Sequence, residues 1–322
     1  MNFHSRMLPT SMEYAFQEEG YYVWCGTMFK HQHMYYMVYS RWKRELGFQA
    51  WVTDSELCLA KAQTLLGKFC HVKVLFGNQD KATGQKICMH NPSVIKWKES
   101  IYLYYMISRG HGDWWEHRNH QRIGVAYTDD PESNWTAIDK PVIDVSAEGV
   151  DSLMVSNPSV LVKEDGRILM LYKAVSKYGE LPRGGPVLCA TAEADHPLGP
   201  FKKHGVPVME NPENPKSVED PYIWLEDGKY YALVKDFNGY FTKTKETAVA
   251  LFVSEDGKRW MPADHPLAFE TVLNLDDRIL PVERLERPQL FFENGECKLL
   301  LCACMQRKND DITFNIRIPL HT

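Results

Sequence analysis

The sequence predicts an all-β chain folded as a five-bladed β-propeller, with about four antiparallel strands to a blade. Three observations carry this. One pattern recurs four times, as HNPSVIKWKESIYLYYM from His90, SNPSVLVKEDGRILMLYKA from Ser156, VEDPYIWLEDGKYYALVKD from Val218 and LERPQLFFENGECKLLLCA from Leu285. Its prolines, Pro92, Pro158, Pro221 and Pro288, stand 66, 63 and 67 residues apart, which leaves room for five units in 322 residues. Repetition on this scale decides the architecture before any local reading does. One period before Pro92 lies Gly26, inside VWCGTMFKHQHMYYMVYS, a degenerate fifth copy.

Each unit resolves into strands in order. Proline has no N–H to give a sheet, so it is expected at the first residue of a strand or at an edge, and the apolar run after it begins a strand. The turns KEDGR, LEDGK and ENGE carry Asp-Gly or Asn-Gly, which supply the positive φ of tight hairpins. A second strand such as YLYYM or YYALV then returns antiparallel. A third follows in RIGVAYTDDPESNW, VLCATAEADHPLGPF and AVALFVSEDGKRW, with AWVTDSELCLAKAQTLLGKF as the longer version in the first unit. Short segments such as KPVIDV or HGVPVM supply a fourth. A helix is expected at most over Ser55–Leu66. Blades begin near residues 22, 90, 156, 218 and 285, in a single domain over 1–322. The last unit is one strand short, so residues within roughly 7–16 are expected to complete it and fasten the ring.

Composition narrows the function classes. There are 37 Lys and Arg against 42 Asp and Glu, a net charge of −5 with no basic run, which argues against nucleic acid as a partner. No apolar stretch reaches the ~18 residues of a spanning helix, so no membrane partner is expected. The start, MNFHSRMLPT, has no apolar signal core. A cytoplasmic protein is expected, or a secreted or periplasmic one whose signal has been removed. The eight cysteines show no paired spacing and read as buried free thiols. Oligomeric state is not encoded in any pattern.

In a propeller the first strand of every blade lines the central channel, so the residues before the repeated proline converge on one mouth. These are Trp24-Cys25, His90-Asn91, Ser156-Asn157, Glu219-Asp220 and Glu286-Arg287. Asn, Asp and Ser there could simply satisfy backbone groups. Acidic pairs converging on one funnel suggest chemistry instead, because close, buried carboxylates raise a pKa and make a general acid.

The five units, the Glu219-Asp220-Pro221 turn and the other strand starts together resemble the five-bladed propeller glycoside hydrolases, the group with families 43, 32, 68 and 117. The resemblance covers nearly the whole chain and implies hydrolysis of a small glycoside or oligosaccharide in the channel. It implies Glu219 as general acid. It also implies carboxylates in the first and third blades, where this chain has Cys25 and Asn157. Three explanations stay open. Another acid reaches the site, Asp151 first, then Asp220 and Glu286; Cys25 is a nucleophile; or the protein is a carbohydrate-binding propeller that has lost its first-blade catalytic acid. Trp24 and Trp42 are expected to stack on sugar. Arg41, His90, Asn91, Arg122, Asn157, Lys173, Asp236, Glu286 and Arg287 are expected to hold substrate.

The insertion GHGDWWEHRNHQRIG, from Gly110 to Gly124, gathers three histidines and two tryptophans. Its spacing matches no zinc pattern, so a contacting loop is expected rather than a metal site. No cofactor is called for; a structural cation in the channel is compatible with the fold. SEDGKRW, from Ser254, resembles a single Asp-box of sialidases, and a turn backed by Trp260 accounts for it.

Overall fold

The computed structural model describes residues 1–77, 85–307 and 312–321. Among them, five four-stranded antiparallel sheets form five blades. Blade 1 comprises Tyr21–His31, Met34–Lys43, Glu56–Ala62 and Cys70–Phe76; blade 2, Lys86–Trp97, Ser100–Gly110, Arg122–Thr128 and Thr136–Ala137. Blade 3 comprises Met154–Val162, Ile168–Val175, Val187–Ala194 and Lys202–Lys203; blade 4, Val218–Glu226, Lys229–Asp236, Ala248–Ser254 and Met261–Glu270. Blade 5 comprises Arg284–Glu293, Glu296–Met305 and Thr313–Pro319, with Ala15–Phe16 as its fourth strand. First strands of adjacent blades pack against one another around a closed ring. A hydrophobic cluster fills each of the five interfaces between blades. Among the described residues no helix is long and apolar enough to cross a membrane.

The hairpin turns take the conformations their sequences suggest. Asp227-Gly228 and Asn294-Gly295 are positive in φ at both residues, the geometry that matches the twist of two adjoining strands. In SEDGKRW, Asp256 accepts from the amides of Lys258 and Arg259, while Trp260 Nε1 donates to the Gly257 carbonyl. The expected helix over Ser55–Leu66 is not formed. Glu56–Ala62 is instead the third strand of blade 1, buried along most of its length, so sheet packing overrides the helical preference of its Glu, Leu, Ala and Lys. The helical turns are elsewhere, at Trp51–Asp54 and Trp114–Asn119.

The repeated proline does not begin a strand. In blades 2 to 5 it lies inside the first strand, at a break in the ladder that blade 1 shares with Gly26 in its place. Pairing with the second strand skips between Trp24 and Thr27, His90 and Ser93, Ser156 and Ser159, Glu219 and Tyr222, and Glu286 and Gln289. A bulge removes the proline from a ladder to which it cannot donate. The residue before it is left-handed each time, with φ of 54° at Cys25, 55° at Asn91, 51° at Asn157, 58° at Asp220 and 56° at Arg287. Asn and Asp tolerate this region. A cysteine and an arginine do not favour it, and each such residue costs on the order of 1–3 kcal/mol.

The N-terminal segment joins three blades. Ala15 and Phe16 pair with Ile316 and Asn315, Leu8 N donates to the Pro319 carbonyl at 3.0 Å, and Thr10 Oγ1 donates to the Arg317 carbonyl at 2.7 Å. Phe3 is fully buried against Trp224 of blade 4, and Phe16 packs on Tyr39 of blade 1. Burying each aromatic ring is worth about 1.5–3 kcal/mol. Deleting residues 1–16 is therefore expected to destabilise the ring by at least ~3 kcal/mol, read as a lower urea midpoint. An unchanged midpoint would show that the ring closes without its clasp.

Candidate active site

The five left-handed residues meet around the channel axis. Cys25 Sγ donates to Asn91 Oδ1 at 3.0 Å, Asn91 Nδ2 to Asn157 Oδ1 at 2.6 Å, and Asn157 Nδ2 to Asp220 Oδ1 at 2.5 Å. From the other side Arg287 Nη1 donates to the same Asp220 oxygen at 3.2 Å. Arg287 also lies beside Cys25, completing the circle. One side chain from each blade thus forms a buried polar ring, with its donors directed toward a single carboxylate. Burial pushes the Asp220 carboxyl up while Arg287 opposes it. Asn157 stands where the resemblance implied a carboxylate, and the ring supplies a reason: an Asp there would lie in hydrogen-bond contact with Asp220, and one of the two would have to be neutral.

Cys25 is fully buried, and that burial pushes its thiol up despite Arg287. It is a hydrogen-bond donor in the ring and has no thiolate character to offer as a nucleophile. His90 sits beside it, with Nε2 at 3.5 Å from Cys25 Sγ and Nδ1 at 2.8 Å from Ser55 Oγ. Burial and the Arg287 charge push His90 well below the usual imidazole value, so it is neutral in the fold. An unfolded histidine protonates near pH ~6.5. The His90 contribution is therefore intact above that pH and is lost as pH falls below it, at up to about 1.4 kcal/mol per pH unit. Burial shifts His71, His117 and His204 the same way. His90→Gln is expected to flatten the fall in urea midpoint between pH 7 and 5; parallel curves for variant and wild type would exclude it as a contributor.

Above the ring opens a recess with a cavity volume of about 110 Å³, smaller than the ~300–1,000 Å³ of drug-sized ligand sites. One wall is aromatic, built from Trp24 and Trp42 of blade 1 with Phe48 and Trp51 from the segment between its second and third strands. The rest of the lining is ionic, and it meets the aromatic part where Arg284 packs over the Phe48 ring. Lys173 Nζ lies 2.6 Å from Glu219 Oε2, and Lys235 Nζ lies 3.1 Å from Glu219 Oε1 and 2.8 Å from Glu286 Oε1. Arg284 Nη1 reaches Glu286 Oε1 at 3.0 Å. Because Lys235 touches both glutamates, their nearest oxygens are no farther apart than the sum of those two distances.

The electrostatics differ from the expectation for a general acid. Burial alone would raise Glu219, but Lys173 and Lys235 hold its carboxyl well below the usual range. In this arrangement Glu219 is an anion. Lys235 stays charged although it is buried, held so by Glu286 and Glu219.

No protein-family model matches the chain, and no curated protein matches it by sequence. Solved structures do. A protein described as a glycoside hydrolase superimposes with a TM-score of 0.73 at 15% identity, over 99% of this chain and 93% of that one. A thermostable family-43 glycoside hydrolase gives 0.70 at 13%, over 98% and 93%. A family 117 glycoside hydrolase from the marine bacterium Zobellia galactanivorans gives 0.65 at 17%, over 98% and 89%. The fold is that of the five-bladed glycoside hydrolases.

Of the residues expected in the channel of this propeller, the recess gathers Trp24, Trp42, His90, Asn91, Asn157, Lys173, Glu219, Asp220, Glu286 and Arg287. Four others lie elsewhere. Asp151 is buried away from the recess, accepting from the Tyr172 hydroxyl at 3.0 Å and pairing with Lys203 at 2.7 Å. Arg122 pairs with Asp144 and donates to the carbonyls of Asn119 and Gln121. Arg41 and Asp236 occupy equivalent places, each one residue past the position opposite the bulge, and side chains alternate along a strand. Arg41 accordingly pairs with Glu18 and Glu56, and Asp236 accepts from the amides of Tyr240, Phe241 and Thr242.

The residue in register is Lys235, cross-strand to Glu219, as Lys173 is to Ser156. The cationic ends of these second strands were visible in sequence; their register was not. Phe48 and Trp51 carry no repeat signal, since they enter from the segment between two strands, and Arg284 stands at the very start of the first strand of blade 5, ahead of the repeated pattern. In the Gly110–Gly124 insertion, Asp113 caps the helix Trp114–Asn119, His111 meets Glu116, and His117 turns inward to Ser108. Among the described residues no cluster of three or more His, Cys, Asp or Glu could hold a metal ion.

Proposed function

We propose that this protein hydrolyses a glycoside held in the channel recess, with Glu219 and Glu286 as its carboxylate pair. The observation that carries the reading is the placement of these two carboxylates on either side of Lys235, in a recess that is also lined by aromatic rings. Aromatic faces suit the apolar faces of sugar rings. The fold shared with glycoside hydrolases supports the same reading by analogy. Glu219, held anionic by two lysines, takes the part of nucleophile or base. Glu286 shares Lys235 and has the partly exposed Arg284 as its second partner; it takes the part of proton donor where an incoming substrate draws Arg284 away. Asn91 and Asn157 have both amide ends committed to the ring, so they position Asp220 rather than reach for substrate.

A second reading is favoured by one feature: both glutamates are ion-paired, and the first-blade position holds a cysteine. A propeller of this kind would bind a carbohydrate without cleaving it. A panel of chromogenic glycosides and natural disaccharides, run with Glu219→Gln as control, separates the two. Turnover abolished in the variant supports the hydrolase; saturable binding with no turnover in the wild type supports the binding protein.

A further inference from the structure

The recess carries more positive charge than its carboxylates balance. Lys173, Lys235, Arg284 and Arg287 line it against Glu219, Asp220 and Glu286. Arg118 lies within electrostatic reach of Glu219, and its Nη1 donates only to the Asn119 side chain and the Arg183 carbonyl. Four cations thus line the recess against three carboxylates, with Arg118 nearby but outside the lining. Arg287 adds a second, independent observation: the residue is 2% exposed, and its Nε and Nη2 are buried without a hydrogen-bond partner. Buried guanidinium donors ordinarily find an acceptor, and uncompensated buried charge is costly. The aromatic side chains of the recess are neutral, and Arg284 packs over the Phe48 ring, so the lining fits a sugar ring with an apolar face that also carries an anionic group.

Building on the carbohydrate reading of this recess, we propose that the sugar it binds carries an oxyanion, a uronic-acid carboxylate or a sulfate ester, received by the Lys173, Lys235 and Arg284 wall above Arg287. Both groups present planar or tripodal oxygens to ammonium and guanidinium donors, and both add charge-assisted hydrogen bonds that a neutral sugar lacks. Glu219 and Glu286 keep their places beside the ring, and their lysine contacts are shared with the incoming anion.

Calorimetric titration with glucuronate, galacturonate, galactose 6-sulfate, glucose and galactose as probes tests this. At least one anionic sugar is expected to bind about tenfold or more tighter than its neutral counterpart, with the advantage shrinking in about 0.5 M salt. Which anion wins distinguishes carboxylate from sulfate. The advantage is also expected to vanish in Lys173→Met and in Arg284→Met; Arg284 is partly exposed, so that variant keeps the fold. Equal binding of neutral and anionic sugars overturns the proposal, and leaves the hydrolase reading standing if neutral glycosides are cleaved. Inorganic sulfate binding as tightly as galactose 6-sulfate also overturns it, since the sugar would then contribute nothing. Tight binding of an anionic sugar whose glycosides are never cleaved supports the proposal and removes the hydrolase.

Discussion

Glu219→Gln is expected to lower kcat about 10²–10⁴-fold or more on every glycoside the wild type cleaves, whatever the leaving group. Glu286→Gln is expected to behave differently. A proton donor matters only when the departing oxygen needs a proton, so this variant should lose a similar factor on alkyl glycosides and disaccharides. Its kcat/KM, which reports departure of the leaving group, should stay within about tenfold of wild type on dinitrophenyl glycosides, whose leaving group departs as an anion. The contrast follows from the lysines. Lys173 and Lys235 keep Glu219 charged, and an anion can attack or accept a proton but has none to give. The opposite pattern, with activated substrates spared by Glu219→Gln, would return the acid role to Glu219. It would also mean that substrate entry breaks the lysine clamp.

Arg287→Met is expected to destabilise the protein by about 3–5 kcal/mol, because it leaves Asp220 as a buried carboxylate without its counter-ion. Asp220→Asn alone should cost a comparable amount by stranding the guanidinium. The double variant should recover a good part of either loss, since neither charge then remains. Urea denaturation of the four proteins closes the cycle. Additive losses would show that the two groups do not stabilise one another, and that their 3.2 Å contact is incidental.

The fold was legible because a proline ahead of an apolar run is a marker that survives divergence, and four of them in register, with Gly26 one period earlier, leave few alternatives. The same marker misled locally. A proline at a bulge and a proline at a strand start leave the same trace in sequence, and only the ladder shows that Met154–Val155 or Lys86–Met89 already belong to the strand. The site was legible wherever the repeat delivered it directly, as with Glu219, Glu286, Asn157 and Arg287. It was obscured where one residue of register decides the outcome, as between Lys235 and Asp236. Asp151 stands six residues from Asn157, yet the chain between them turns into the blade and its carboxylate satisfies Tyr172 instead. The charge state of Glu219 depends on a lysine from the neighbouring blade, a contact that no single repeat contains.

The polar ring at the base of the recess has a consequence for how this sequence can change over time. Its hydrogen bonds run in sequence from Cys25 through Asn91 and Asn157 to Asp220, and meet the one from Arg287. Each member therefore fixes which end of its neighbour must donate. An acid introduced at position 157 would require Asp220 to give up its charge, and a neutral residue at 220 would leave Arg287 without a counter-ion. Positions more than 260 residues apart along the chain are thus tied into one inherited unit. Relatives of this chain should exchange these five residues as matched sets, and a single departure at one blade should be accompanied by another across the axis.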